Sequence, residues 1–269
     1  PQSQGTCSDH PVADQMTNIT THWDPKDLLQ FKGLHQQDGV VHVPGLVASE
    51  TMAELLAWVD DISNASTLGR HYFESTAHGR VKARTEDFAK NHPPLHQFLT
   101  QGRVHDVLEA LFGEPPVLFK EKINYKHPGA AGYAPHQDAP AYPFGSLHIT
   151  MLLALDSADT SNGCLEFAKG AHHNGVIDVN ADGCLPIERA AQLEWTPMPV
   201  AAGDAVFFNS FAPHRSGTNR SDRSRRALYV TYNASSEGDL RSEYYDHKKQ
   251  ALAEGRVSLI NHFLGEDVS

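Results

Sequence analysis

The chain has no long apolar run. Nowhere in its 269 residues do roughly 18 apolar residues follow one another, which excludes a helix of membrane-spanning length. Cysteine is scarce: Cys7, Cys164 and Cys184 make an odd set without C-x-x-C spacing, which argues against a disulfide framework and a zinc knuckle. A reducing, cytoplasmic setting is the expectation. Positive charge is also short, 22 Lys and Arg against 33 Asp and Glu for a net charge of -11, so a nucleic-acid partner is not expected. The one basic cluster is Arg220, Arg223, Arg225 and Arg226. The first twenty residues lack the basic-then-apolar order of a secretory signal. Internal repeats and low-complexity tracts are missing too, and no linker divides the chain.

What is present is ordinary globular material, with 40% hydrophobic residues, enough for one large core. Residues 1–27 lack periodicity and read as an N-terminal arm, and 28–269 as a single domain. Val40 to Val43 predicts a short strand between the Asp38-Gly39 and Pro44-Gly45 turns. Thr51-Met52-Ala53-Glu54 has the form of a capping box, followed by Met52, Leu55, Leu56, Val59 and Ile62 at helical spacing. A second helical stretch starts near Pro94, is interrupted at Gly102 and ends at Gly113. From residue 116 the texture changes to short β-type runs, at Val117 to Tyr125, Ser146 to Leu155, Cys164 to Phe167, Ala205 to Asn209 and Ala227 to Tyr232. Such a succession predicts a sandwich or barrel, mainly β with flanking helices. Asn162-Gly163 and Gly203-Asp204 mark turns, 168–195 is an insertion long enough to act as a lid or binding element, and Asp239 to Ala253 predicts a charged helix.

Against this background stand His136-Gln137-Asp138 and, 78 positions after His136, Pro213-His214-Arg215-Ser216-Gly217, with Arg225 eleven residues further on. Residues i and i+2 of a strand point the same way, so His136 and Asp138 can reach one metal while His214 arrives from a remote strand. Two imidazoles and a carboxylate hold Fe(II) by three positions and leave three open. With 17 histidines, a chance H-x-D arises in such a chain roughly half the time. His127, His148, His172 and His173 are obvious decoys. The joint pattern is more specific. A bare metal site has no need of Arg225, whereas a carboxylate-bearing cosubstrate does, and Ser216 can donate to the same carboxylate. Alternation also groups Lys120, Lys122 and Asn124 on one face and Phe119, Ile123 and Tyr125 on the other.

These segments carry a family likeness. "FKGLHQQDGVVHVPGLV", "KINYKHPGAAGYAPHQDAPAY", "NGCLEFAKGAHH", "GDAVFFNSFAPHRSGTNRSDRSRRALYVTYN" and "SSEGDLRSEYY" resemble the phytanoyl-CoA dioxygenase family of Fe(II)- and 2-oxoglutarate-dependent oxygenases over about residues 28 to 250. The resemblance implies a double-stranded β-helix, a jelly-roll of the cupin kind, with N-terminal helices packed on it. It makes His136, Asp138 and His214 the iron ligands and catalytic centre, and Arg225 with Ser216 the partners of the distal carboxylate of 2-oxoglutarate. Thr150, Asn124 and Lys122 are further candidates for cosubstrate or substrate contacts. It also implies a hydroxylase that uses molecular oxygen, acts through an iron-oxo intermediate and releases succinate and CO2. The retained Asp138 argues against halogenation.

The substrate is a small molecule, and a CoA thioester is not favoured because no basic rim accompanies the charge of -11. Lys120, Lys122 and Asn124, with Arg70, His71 and Arg84, suit a compact anion or zwitterion, an aminoalkylphosphonate being one instance. The alternatives are natural-product tailoring or acyl-CoA hydroxylation by the same mechanism, a non-oxidative cupin-like metal protein, and a binding protein on the same fold. Oligomeric state is left open.

Overall fold

The computed structural model describes residues 22–76, 79–142, 144–254 and 267–268. Most of the N-terminal arm expected at 1–27, and Cys7 with it, lies outside them. Helix α1 (Pro25–Asp38) starts on Asp24, whose carboxylate accepts from the Lys26 amide at 2.8 Å, and stops at Gly39, where φ is 74°. Glycine reaches that left-handed conformation without the penalty a Cβ imposes. Strand β1 (Val40–Val43) follows, then α2 (Ser49–Asn64) and the hairpin β2 (Arg70–Thr76) and β3 (Gly79–Glu86). Helices α3 (Pro93–Thr100) and α4 (Gly102–Phe112) lead into β4 (Pro116–Lys126), β5 (Tyr133–His136), β6 (His148–Ala154) and β7 (Leu165–Phe167). The short α5 (Ile187–Ala191) precedes β8 (Thr196–Met198), β9 (Ala205–Asn209), β10 (His214–Ser216) and β11 (Arg225–Ala234), and the chain continues through α6 (Arg241–Ala253) to β12 (Asp267–Val268).

The strands form two antiparallel sheets. The larger runs β1-β9-β6-β11-β4-β3-β2-β12 and the smaller β5-β10-β7-β8. Strand alternation sorts the side chains of the large sheet. One face carries Ile123, Ile149, Met151, Leu153, Phe207, Leu228, Val230 and Tyr232, all buried in one cluster with Leu55, Val59, Leu99, Val104 and Leu108 of α2, α3 and α4. Each such side chain contributes about 1.5–3 kcal/mol by leaving water, so this layer fixes the helices on the sheet. The opposite face meets the small sheet through Val40, Leu152, Phe167, Val206, Phe208 and Ala227. Beyond that second apolar patch the inter-sheet space is lined by polar groups, and the site lies there.

Four local expectations are corrected. The capping box at Thr51 does not form: α2 begins two residues earlier at Ser49, its N-cap Ala48 offers no side-chain cap, and Thr51 is buried in the first turn. Phe119 does not join Ile123 and Tyr125, because the β4–β11 register shifts there and sends its ring against Tyr142, His148 and Tyr244. His71 and Arg84 are buried on the β2–β3 hairpin. His71 is held by Thr85 Oγ1 at 2.9 Å and the Ala65 carbonyl at 3.1 Å, while Arg84 Nε lies 2.9 Å from Glu86, so neither is a loose surface anion binder. Finally, Asp138 is not on the strand that carries His136, as described next.

Candidate active site

Strand β5 ends at His136, and Asp138 follows in helical backbone (φ -77°, ψ -31°) at the start of a single 3-10 turn. The bend, not strand alternation, brings the carboxylate round, with Asp138 Oδ1 3.9 Å from His136 Nε2. His214 opens β10 and pairs directly with His136 across the small sheet. Their ring centroids are 4.2 Å apart, and one donor atom from each of His136, Asp138 and His214 falls within 4.8 Å of the others. No other three His, Cys, Asp or Glu side chains converge like this among the described residues.

The donor set suits a divalent iron. His136 Nδ1 lies 2.7 Å from the Ala134 carbonyl and His214 Nδ1 3.0 Å from that of Ala212. Each carbonyl fixes the proton on Nδ1 and leaves Nε2 as a bare donor, the usual outer support of a metal-bound imidazole. Burial and then His214 push the His136 imidazole down to about 3, and burial lowers His214 as well, which favours the neutral, metal-binding form of both rings near pH 7. Burial would raise the Asp138 carboxyl, but facing His214 and Lys120 hold it down to about 2. Thr150 Oγ1 lies 3.5 Å from Asp138 Oδ2 and 2.9 Å from Thr231 Oγ1, so Thr150 steadies the carboxylate.

Between the two ligands, Gln137 turns the other way. Fully buried, it donates to the carbonyls of Gly175 (2.9 Å) and Phe211 (2.6 Å) and accepts from the Ile177 amide (2.8 Å). It thereby ties the ligand turn to the 168–195 insertion. A larger cleft of 610 Å³ lies under that insertion, lined by Pro135, Cys184, Leu185, Trp195 and Arg215, but Arg215 faces away from the ligands and pairs with Glu166 at 2.7 Å. The three candidate ligands open instead on a smaller cleft, whose walls include Lys120, Lys122, Asn124, Tyr142, Thr150, Tyr229 and Thr231.

Arg225 is buried at the start of β11 and opens on an adjoining cleft shared with Asn124, Lys126, Tyr133 and Tyr229. Its Nη2 donates to the Gly163 carbonyl at 2.6 Å and its Nε reaches that of Asn162 at 3.3 Å. Gly163 has φ 75°, and a Cβ there would collide with the Gly217 carbonyl oxygen and come within 2.8 Å of Lys126 Nζ. Ser216 Oγ accepts from Lys126 Nζ and from the Tyr133 amide, both at 3.1 Å, which leaves its own proton to donate. Lys126, which sequence reasoning missed, is buried, bonds also to the Gly217 carbonyl, and is pushed down to about 7 by burial and Arg225. The alternation of Lys120, Lys122 and Asn124 carried one step further would have found it. Asn124 Oδ1 is buried without a partner among the described residues.

Residues 35–227 match the family model described as phytanoyl-CoA dioxygenase. The chain belongs to the phytanoyl-CoA dioxygenase family. As such it is an iron- and 2-oxoglutarate-dependent dioxygenase, on a jelly-roll scaffold. The chain is 44% identical over 241 residues to a methylphosphonate hydroxylase of Gimesia maris, covering 86% of this chain and 93% of that one. A 2-aminoethylphosphonate dioxygenase of an uncultured bacterium is 38% identical over 80% of this chain and 85% of its own. Among solved structures, the non-haem α-ketoglutarate-dependent epimerase SnoN, also solved with Fe3+, α-ketoglutarate and nogalamycin RO, superposes with a TM-score of 0.69 at 25% identity, over 79% of this chain and 85% of that one. No helix among the described residues is long and apolar enough to cross a membrane.

Proposed function

We propose that this dioxygenase hydroxylates a short alkylphosphonate at its carbon, with His136, Asp138 and His214 as the iron ligands. Arg225, Ser216 and the unforeseen Lys126 bind the distal carboxylate of 2-oxoglutarate, and Asn124 contacts the cosubstrate between that carboxylate and the metal. Thr150 acts through Asp138. Bound there, iron with 2-oxoglutarate and dioxygen supplies the oxidation: one oxygen atom enters a substrate C–H bond, and the other leaves in succinate as CO2 is released.

The protein's own part is positional. The Ala134 and Ala212 carbonyls keep both imidazoles in the binding tautomer, and neighbouring groups keep Asp138 ionised. At the far end Arg225 and Lys126 are already oriented by carbonyls, so a carboxylate meets fixed donors and little ordering cost remains. The single observation that carries the substrate class is the 44% identity to a methylphosphonate hydroxylase across 93% of its length. Two lysines on the cleft wall beside the ligands support it. We also take 28–269 as one catalytic domain and the setting as cytoplasmic, which the free, buried thiols of Cys164 and Cys184 suit.

The test is phosphorus NMR of methylphosphonate incubated with the protein, Fe(II), 2-oxoglutarate and air. A hydroxymethylphosphonate signal rising in step with succinate is expected. Succinate release unaffected by methylphosphonate or any other short alkylphosphonate, in protein that still binds 2-oxoglutarate, would overturn the substrate class.

A further inference from the structure

Strand β4 carries three lysines on its inner face, and they live in different circumstances. Lys126 is satisfied by Ser216 and the Gly217 carbonyl. Lys120 and Lys122 have no hydrogen-bond acceptor or carboxylate within bonding distance among the described residues. Each meets aromatic faces instead. Lys120 Nζ is 4.3 Å from the centroid of the Tyr142 ring and 5.5 Å from that of Tyr244, and Lys122 Nζ is 5.2 Å from that of Tyr229. Both side chains are half-buried and both line the cleft of the three ligands. Charges nearby do not neutralise them. Arg84 and Lys248 are cationic, Glu86 is already paired with both, and Asp138 belongs to the ligand set. Leaving two ammonium groups so placed is costly unless a ligand brings the missing anion.

We infer that Lys120 and Lys122 together form the seat of the substrate's doubly charged phosphonate head, separate from the cosubstrate seat at Arg225, Ser216 and Lys126. This rests on the phosphonate reading and specifies how the head is held. Three tetrahedral oxygens carrying two charges can accept from both ammonium groups at once, whereas a singly charged group leaves one of them unpaired. The register supports the separation. Lys126 lies opposite Arg225 at one end of the β4–β11 pair, and Lys122 and Lys120 lie opposite Tyr229 and Thr231, four and six residues along β11. The same wall sets a preference among phosphonates. Asp138 is the sole carboxylate among the described residues lining the cleft, so a substrate amine finds no free counter-charge, and two lysines repel it.

The experiment is calorimetric binding, without oxygen, to the full chain loaded with Fe(II), using methylphosphonate, its monomethyl ester and 2-aminoethylphosphonate in the presence of 2-oxoglutarate, and 2-oxoglutarate by itself. Lys120→Met and Lys122→Met should each weaken methylphosphonate by about tenfold or more, with Lys→Arg recovering part of the loss. Cosubstrate affinity should stay within about twofold. The intact protein should prefer methylphosphonate to the monoester and to the aminoethyl compound. Melting of the ligand-free variants at or above the intact protein's temperature shows that they fold. Variants that bind methylphosphonate like the intact chain, a loss that falls on 2-oxoglutarate, a monoester bound as tightly as the dianion, or no methylphosphonate binding by the intact chain would each overturn the seat. Lysine-dependent binding without phosphonate-dependent succinate would keep the seat and overturn the hydroxylase reading. Phosphonate turnover with unaffected lysine variants would do the reverse.

Discussion

The two faces of the paired strands β4 and β11 divide labour residue by residue. Ile123, Leu228, Val230 and Tyr232 point into the helix-covered layer and are buried, each at most 1% exposed. Their immediate neighbours Lys122, Asn124, Tyr229 and Thr231 line the reaction cleft. The first set stabilises the fold by leaving water. The second set works against it, since burial lowers Lys120 to about 7 and Lys122 to about 8. A site can thus be destabilised locally because the same two strands are anchored on their other face.

Substitutions on the two faces should separate affinity from stability. The largest effect belongs to the ligand turn. Asp138→Ala should abolish iron retention, measured by metal analysis after gel filtration, and cost more than the roughly 10- to 100-fold that loss of an outer hydrogen-bond partner produces. On the packed face, Leu228→Ala should lower unfolding free energy by about 3 kcal/mol in denaturant titration, while 2-oxoglutarate affinity in the folded protein changes little. On the cleft face, Arg225→Ala should weaken 2-oxoglutarate by about 30-fold, near 2 kcal/mol, with a smaller change in melting. If Leu228→Ala weakened the cosubstrate as much as Arg225→Ala, the division between faces would fail.

The smallest effect is a pH slope. Folded Lys120 gives up its proton near 7, whereas the unfolded chain holds it to the ordinary value of 10.5. Between these limits the unfolded state binds more protons, so the penalty for burying the charge is complete below about pH 7 and fades as pH rises. The ligand-free protein should therefore gain melting temperature from pH 7 toward 9. Lys120→Met should flatten that gain, and an equal slope in both proteins would remove Lys120 as its source.

The sequence told much about the ligand set and less about its surroundings. The convergence of His136, Asp138 and His214 is legible because their spacing repeats a family pattern, and the shared face of Lys120, Lys122 and Asn124 follows from strand alternation alone. Lys126 escapes because the β-type run reads only to Tyr125, one residue short of the end of β4. The turn at Asp138 was unreadable because a two-residue separation looks the same in a strand and in a bend. Gln137 and the Arg84–Glu86–Lys248 group stayed hidden for a more basic reason. Their partners are far off in sequence, as with Gln137 and Phe211, and no local periodicity encodes such pairings.

Gln137 carries one more consequence. Its amide joins the ligand turn to Gly175 and Ile177 in the insertion and to Phe211 just before His214, so three remote stretches of chain share a single buried clasp. Local opening of any one of them breaks part of the same clasp, and anything that tightens the ligand turn tightens the insertion as well. Iron binding should therefore be audible at a distance, as slowed amide hydrogen exchange at Ile177, whose amide donates to Gln137.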